Sequence, residues 1–88
     1  MIYINGIKQS TINYSYYLNE TDNSVSLIWN NSIDSCFCMF YGCKDITEID
    51  LSNFNTSEVT DMYNMFYGCS SLSSLDVSNF DTSKVNLI

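Results

Sequence analysis

Glu48, Asp50 and Ser52 alternate along one short run, and Ser74, Asp76 and Ser78 repeat the alternation 26 residues later. Residues two apart in an extended chain point to the same side. Laid side by side, the two runs would pair Glu48 with Ser74, Asp50 with Asp76, and Ser52 with Ser78. The result is a small acidic, hydroxyl-rich patch that could accept a basic protein loop, a sugar or a cation. The same residues also suit a solvated face whose charges keep a sheet soluble and discourage pairing with other strands. Acid–base or calcium chemistry at Asp50 and Asp76 is poorly supported, because no evident loop supplies the roughly six to eight oxygens that calcium takes. Histidine is absent, which eliminates Ser-His and Cys-His nucleophile pairs. Gly6, Gly42 and Gly68 stand alone, so there is no phosphate-cradling loop. The expectation is a protein with no catalytic, cofactor-binding or metal residues, and not an enzyme.

The four cysteines are Cys36, Cys38, Cys43 and Cys69, and they read as small buried apolar side chains. Cys43 and Cys69 hold the same repeat position. Stacked coils would set them about 4.8 Å apart, within disulfide reach, although parallel Cβ vectors are a poor start for that bond. Cys36-Phe37-Cys38 is too short a hook for the usual zinc knuckle, and no second pair completes one.

The elements that would position these residues come from an internal repeat. Met39-Phe40-Tyr41-Gly42-Cys43 returns as Met65-Phe66-Tyr67-Gly68-Cys69. Asp50, Ser52-Asn53-Phe54, Thr56-Ser57 and Val59 return as Asp76, Ser78-Asn79-Phe80, Thr82-Ser83 and Val85. A period of this length marks a solenoid, in which each unit stacks on its neighbours. Within a unit, Ile49 and Leu51 alternate with the polar set and predict a short strand with its apolar side inward. Asn53-Phe54-Asn55-Thr56-Ser57 turns the chain, with Phe54 pointing back into the core. Val59, Met62 and Phe66 fall at spacings of three and four, which predicts short helical or 3₁₀ turns. Gly68 then takes the positive φ of a helix end. Glu58 and Lys84 could pair between units.

The first third differs. Asn5-Gly6 between Ile2-Tyr3-Ile4 and Ile7-Lys8-Gln9 is a strong hairpin signal. Ile12, Tyr14, Tyr16 and Leu18 alternate with polar residues as a further strand. Val25, Leu27 and Trp29 alternate again after the polar turn at 19–24. An antiparallel β-meander over residues 2–29 is predicted, acting as a cap on the exposed end of the first coil. Shifting by one repeat aligns Val25, Ser26 and Ile28 with Leu51, Ser52 and Phe54, so the last meander strand doubles as a degenerate coil. The organisation is thus a cap over residues 1–32 and repeats over 33–88, with units 39–64 and 65–88, the second truncated.

The net charge is −7, and Lys8, Lys44 and Lys84 are the only basic residues. Nucleic acid is disfavoured, since phosphate binding needs clustered Lys and Arg, and so are anionic membrane surfaces. No apolar run reaches the length of about 18 residues that suggests a membrane span, so this segment is not expected to insert. The start lacks a basic leader with a continuous apolar stretch. Val85-Asn86-Leu87-Ile88 stops partway through a unit, so a fragment of a longer array or a truncated product is expected. The open last coil is expected to self-associate.

The signature apolar-x-x-apolar-Asp-apolar-Ser-Asn-Phe-[Asn/Asp]-Thr-Ser-x-Val, joined to Met-Phe-Tyr-Gly-Cys, resembles the BspA-like leucine-rich-repeat surface proteins. In particular it resembles the subgroup described as Mycoplasma-type lipoprotein repeats of unknown function. The match covers residues 33–88 well and 25–32 weakly. Phe54 and Phe80 replace the asparagine common in leucine-rich loops. The resemblance implies a β-rich, right-handed leucine-rich-repeat-like solenoid of about two coils, cell-surface or secreted, involved in adhesion and binding host or extracellular proteins. On that reading the partner-binding face is Glu48, Asp50, Ser52, Ser74, Asp76 and Ser78. The alternative is a structural spacer, with recognition elsewhere in the parent protein.

Overall fold

The computed structural model describes residues 1–9, 22–29, 31 and 33–86. The strand expected over Ile12–Leu18 lies outside the described residues. Among the described residues, five strands form one open, mixed sheet: β1 (Ile2–Ile4), β2 (Ile7–Lys8), β3 (Ser24–Trp29), β4 (Glu48–Phe54) and β5 (Ser74–Asp76). The spatial order is β2-β1-β3-β4-β5. The strand β1 pairs antiparallel with both β2 and β3, while β3, β4 and β5 run parallel to one another.

Asn5 and Gly6 close the β1–β2 hairpin at φ 51° and 80°, the left-handed pair that a tight two-residue turn demands. The Asn5 side chain reaches further. It accepts from the Ser24 amide at 2.7 Å and donates to Asn23 Oδ1 at 3.0 Å. Asn23 is buried, and its Nδ2 donates to the Asp45 carbonyl at 2.8 Å. Its own carbonyl accepts from the amides of Thr47 and Glu48. A polar group this enclosed must find partners or destabilise the fold. Here it ties the hairpin to the chain entering β4.

The period of the repeat reappears as contacts. Phe37 stacks on Tyr63 with ring centroids 6.1 Å apart, Phe40 on Phe66 at 5.7 Å, and Tyr41 on Tyr67 at 5.3 Å, all within 15° of parallel. Such pairs stabilise beyond the area they bury. Main-chain bonds follow the same spacing. The amides of Cys36, Cys38, Phe40 and Gly42 donate to the carbonyls of Asp61, Tyr63, Met65 and Tyr67.

Those sideways bonds explain one departure from expectation. Among the described residues there is no helix; the stretches at 37–42 and 63–68 are linked turns. Met39, Tyr41 and Cys43 donate to carbonyls three residues back. In the first stretch the amides between them, and in the second the carbonyls of Tyr63, Met65 and Tyr67, are engaged with the other repeat and not with a helical ladder. Cys38 and Asn64 also sit at φ 53° and 54°, which no right-handed helix accommodates. Gly68 does take a positive φ, 79°, but it closes a turn instead of a helix.

Register supplies a second correction. Val25 stands opposite Ile49 and Ser26 opposite Asp50, not opposite Leu51 and Ser52; Trp29, not Ile28, faces Phe54. Leu51 and Ser52 together face Leu27, a bulge that shifts the pairing by one. The displacement from the repeat alignment is two residues up to Ser26 and one from Ile28 onward; a one-residue shift changes the face presented, so Trp29 and not Ile28 meets Phe54 on the core side.

The core is fullest under β4. Ile49, Leu51 and Val59 are fully enclosed, and Ile46, Phe54, Phe40, Met62 and Met65 are buried around them. Their repeat partners Leu72, Val77, Phe80 and Val85 pack against this cluster while half-exposed. Leu75 keeps 38% of its surface exposed.

Candidate functional site

The outward side of the sheet carries two rows set by strand register. One runs Lys8, Tyr3, Ser26, Asp50, Asp76; the other runs Ser24, Glu48, Ser74. The expected pairs Glu48/Ser74 and Asp50/Asp76 are therefore direct cross-strand neighbours. Between β1 and β4 lies a shallow depression of about 400 Å³, lined by Tyr3, Ser24, Ser26, Glu48, Asp50 and Asn53, with Ile28 as an apolar part of its wall.

Within this surface the side chains do different things. Glu48 is exposed and lines the depression. The half-buried Asp50 turns Oδ1 onto its own chain, accepting from the Ser52 amide at 2.9 Å and the Ser52 hydroxyl at 2.6 Å. Asp76 does the same with Ser78, at 3.0 and 2.6 Å. The Ser78 hydroxyl and amide hold the Asp76 carboxyl below the usual carboxylate range. Both aspartates thus cap a turn with one oxygen, and the hydroxyls of Ser52 and Ser78 are already engaged. The depression includes Glu48 and Asp50 but leaves Ser52, Ser74, Asp76 and Ser78 outside its lining.

Tyr3, Ser24, Ser26, Ile28 and Asn53 belong to this surface and were not foreseen as part of it. Their outward parity was readable, since Ser24 and Ser26 alternate with Val25 and Leu27. What the sequence lacked was the register of β3 on β4, which brings Ser24 and Ser26 beside Glu48 and Asp50.

Elsewhere, Lys84 Nζ pairs with Glu58 at 2.8 Å, with both side chains about half exposed. An exposed pair contributes roughly 0–1 kcal/mol. All four cysteines are free thiols. Burial raises Cys36 to a pKa of about 11. Burial also raises Cys43, and the neighbouring Cys69 adds to the shift. The Cys69 thiol lies 3.1 Å from the Phe40 carbonyl. Among the described residues, no three His, Cys, Asp or Glu side chains converge as a metal site would need. No helix among them is long and apolar enough to cross a membrane.

A family profile described as "Mycoplasma protein of unknown function, DUF285" matches residues 11–88. No curated protein and no solved structure matches the chain.

Proposed function

Since the chain belongs to the DUF285 family of Mycoplasma proteins of unknown function, we propose that it is a non-enzymatic protein-binding module of an adhesive repeat protein, displayed at the cell surface or secreted. On this reading the fold is a short right-handed coil of the BspA-like, leucine-rich type. The three ring pairs stacked one repeat apart support that reading. The observation that carries the binding role is the outward depression, where Glu48 and Asp50 stand beside Tyr3 and Ile28. Carboxylates next to an aromatic ring and an aliphatic wall suit a basic, partly apolar protein loop. Steering by a net charge of −7 would favour such a partner over an acidic one.

A second reading, spacer coils with recognition elsewhere in the parent protein, is favoured by the capping bonds of Asp50 and Asp76. One variant separates the two. Asn55 caps Ser57 through Oδ1 at 3.0 Å from the amide, so asparagine performs the turn role without charge. Glu48→Gln with Asp50→Asn and Asp76→Asn therefore removes the acidity and keeps the turns. Immobilised protein would be tested for capture of extracellular-matrix proteins. A binding module loses capture in the triple variant; unchanged capture assigns these coils to a spacer.

A further inference from the structure

Cys43 and Cys69 end the repeated run Met-Phe-Tyr-Gly-Cys and close equivalent turns. Their amides donate to the carbonyls of Phe40 and Phe66, at 3.1 and 3.2 Å. The two turns lie against each other. The Gly42 amide donates to the Tyr67 carbonyl at 2.7 Å, and a Cβ on Gly68 would stand 3.2 Å from the Gly42 Cα. The cysteines that follow these glycines are therefore neighbours across the repeat boundary. Equivalent side chains start out parallel, a poor geometry for a cystine, so one sulfur has to lean across. Cys69 does so: its thiol donates to the Phe40 carbonyl at 3.1 Å, the same oxygen that the Cys43 amide meets. Both cysteines are half-buried, within reach of a small reagent. The buried Cys36 and the half-buried Cys38 have no such counterpart, since one repeat on they align with Met62 and Asn64.

We propose that Cys43 and Cys69 form an oxidisable dithiol, closed by a small disulfide of the glutathione class into a cystine that fastens the two repeats together. The Cys69 thiolate attacks one sulfur of the reagent and expels one thiolate. Cys43 then attacks the Cys69 sulfur of the mixed disulfide and expels the second. The protein gives up two protons and two electrons, and the reagent takes them up as two thiols. Burial raises both thiols above their ordinary range, and at Cys69 the Cys43 amide opposes the rise. Cys69 is thus the first to attack, and closure is faster in mild alkali. Joining positions 43 and 69 restricts the unfolded chain more than the folded one. This lock works whether or not the outward face binds a partner, and it suits the oxidising exterior in which cystines persist.

Peptide mapping of the full chain tests this. Reduced protein is equilibrated with oxidised and reduced glutathione in mild alkali, then trapped with N-ethylmaleimide in mildly acidic urea. Trypsin at Lys44 and chymotrypsin at Tyr41 separate Cys43 from Cys69 and from Cys38. The expected product is a single chain joined from Cys43 to Cys69, with Cys36 and Cys38 carrying the maleimide. The same equilibration in urea should favour the short loops among Cys36, Cys38 and Cys43, which close at lower entropic cost, so folding must reverse the preference. The oxidised chain should also unfold at a urea midpoint higher than the reduced chain by about 1 M or more. Pairing of Cys43 or Cys69 with Cys36 or Cys38 in the folded chain overturns the proposal. So do separate glutathione adducts that never resolve, links between chains, and thiols left unreacted. Equal midpoints for the two redox states overturn the lock.

Discussion

Gly42 and Gly68 occupy one repeat position and both have positive φ, 71° and 79°. Alanine at either must adopt a left-handed conformation that costs an L-residue about 1–2 kcal/mol. Their surroundings differ. A Cβ on Gly68 would stand 3.2 Å from the Gly42 Cα and 3.4 Å from its nitrogen. One on Gly42 meets nothing within 4 Å among the described residues. The atoms crowding Gly68 are main chain, held in place by the Gly42 amide bond to the Tyr67 carbonyl at 2.7 Å. Relief requires the two repeats to part by a few tenths of an ångström, which also loosens the Tyr41–Tyr67 stack. Overpacking of this kind adds about 1–3 kcal/mol. Gly42→Ala should therefore lose about 1–2 kcal/mol, and Gly68→Ala about 2–5. A chain of this length holds only about 4–13 kcal/mol in total. The difference between the variants corresponds to at least about 4 °C in Tm. Urea titrations followed by circular dichroism, compared at equal m-value, would measure it. Equal losses at the two sites, or a larger loss at Gly42, would refute the close approach of repeat upon repeat.

Thr56 offers a similar internal comparison: its buried hydroxyl accepts from the Asp81 amide at 2.9 Å, whereas Thr82, one repeat on, is exposed. Thr56→Val should lose about 1–3 kcal/mol and Thr82→Val about 0.5 or less; matching denaturation midpoints for the two variants would contradict the bridging role. Cys36 is 1% exposed, with its pKa pushed up to about 11, so it should alkylate last of the four thiols at pH 8 in the folded chain. Peptide mapping after an iodoacetamide pulse reads the order, and modification of Cys36 as fast as Cys38 would count against its burial. Asp76 and Asp81 are held below the ordinary carboxylate range by Ser78 and Ser83. A depressed native pKa gives stability that is present above the unfolded value, near about 3.9, and lost as pH falls through the native one. The wild-type advantage over Asp76→Asn should thus hold constant at neutral pH and shrink only as pH falls below about 4, and an advantage that changes between about pH 5 and 7 would contradict the assignment.

The sequence made some of this visible for clear physical reasons. Identical aromatics recurring at a fixed period stack because equivalent positions of neighbouring repeats face each other, so Phe40/Phe66 and Tyr41/Tyr67 could be anticipated as neighbours. Asn5-Gly6 announced its hairpin because few residues other than Asn and Gly tolerate two successive positive φ values. The helix-like spacing of Val59, Met62 and Phe66 misled, because linked three-residue turns also return every third or fourth side chain to the core. Nothing local distinguished the two cases, since the deciding bonds join residues about one repeat apart, such as Phe40 to Met65. The offset between β3 and β4 was hidden for a related reason: the bulge opposite Leu27 lies in the pairing between strands, and the alternation of Val25, Leu27 and Trp29 along β3 gives no sign of it.

The site was legible in its residue types and obscure in their employment. An Asx residue followed two positions later by serine occurs at Asp50/Ser52, Asn55/Ser57, Asp76/Ser78 and Asp81/Ser83, and every one of these serine amides donates to the Asx side chain. At the second turn of the unit, Asn55 and its repeat partner Asp81 do the same work, so the turn requires an acceptor oxygen and not a charge. At the first turn both units carry aspartate, and at Asp76 the serine hydroxyl and amide favour the ionised form, although a neutral acceptor could also cap. Those two carboxylates stand as neighbours on the sheet, where like charges repel. The turn therefore engages one oxygen of each aspartate without requiring its charge. The negative charge remains on the outward face, where the basic loop of a partner, as proposed, would meet it.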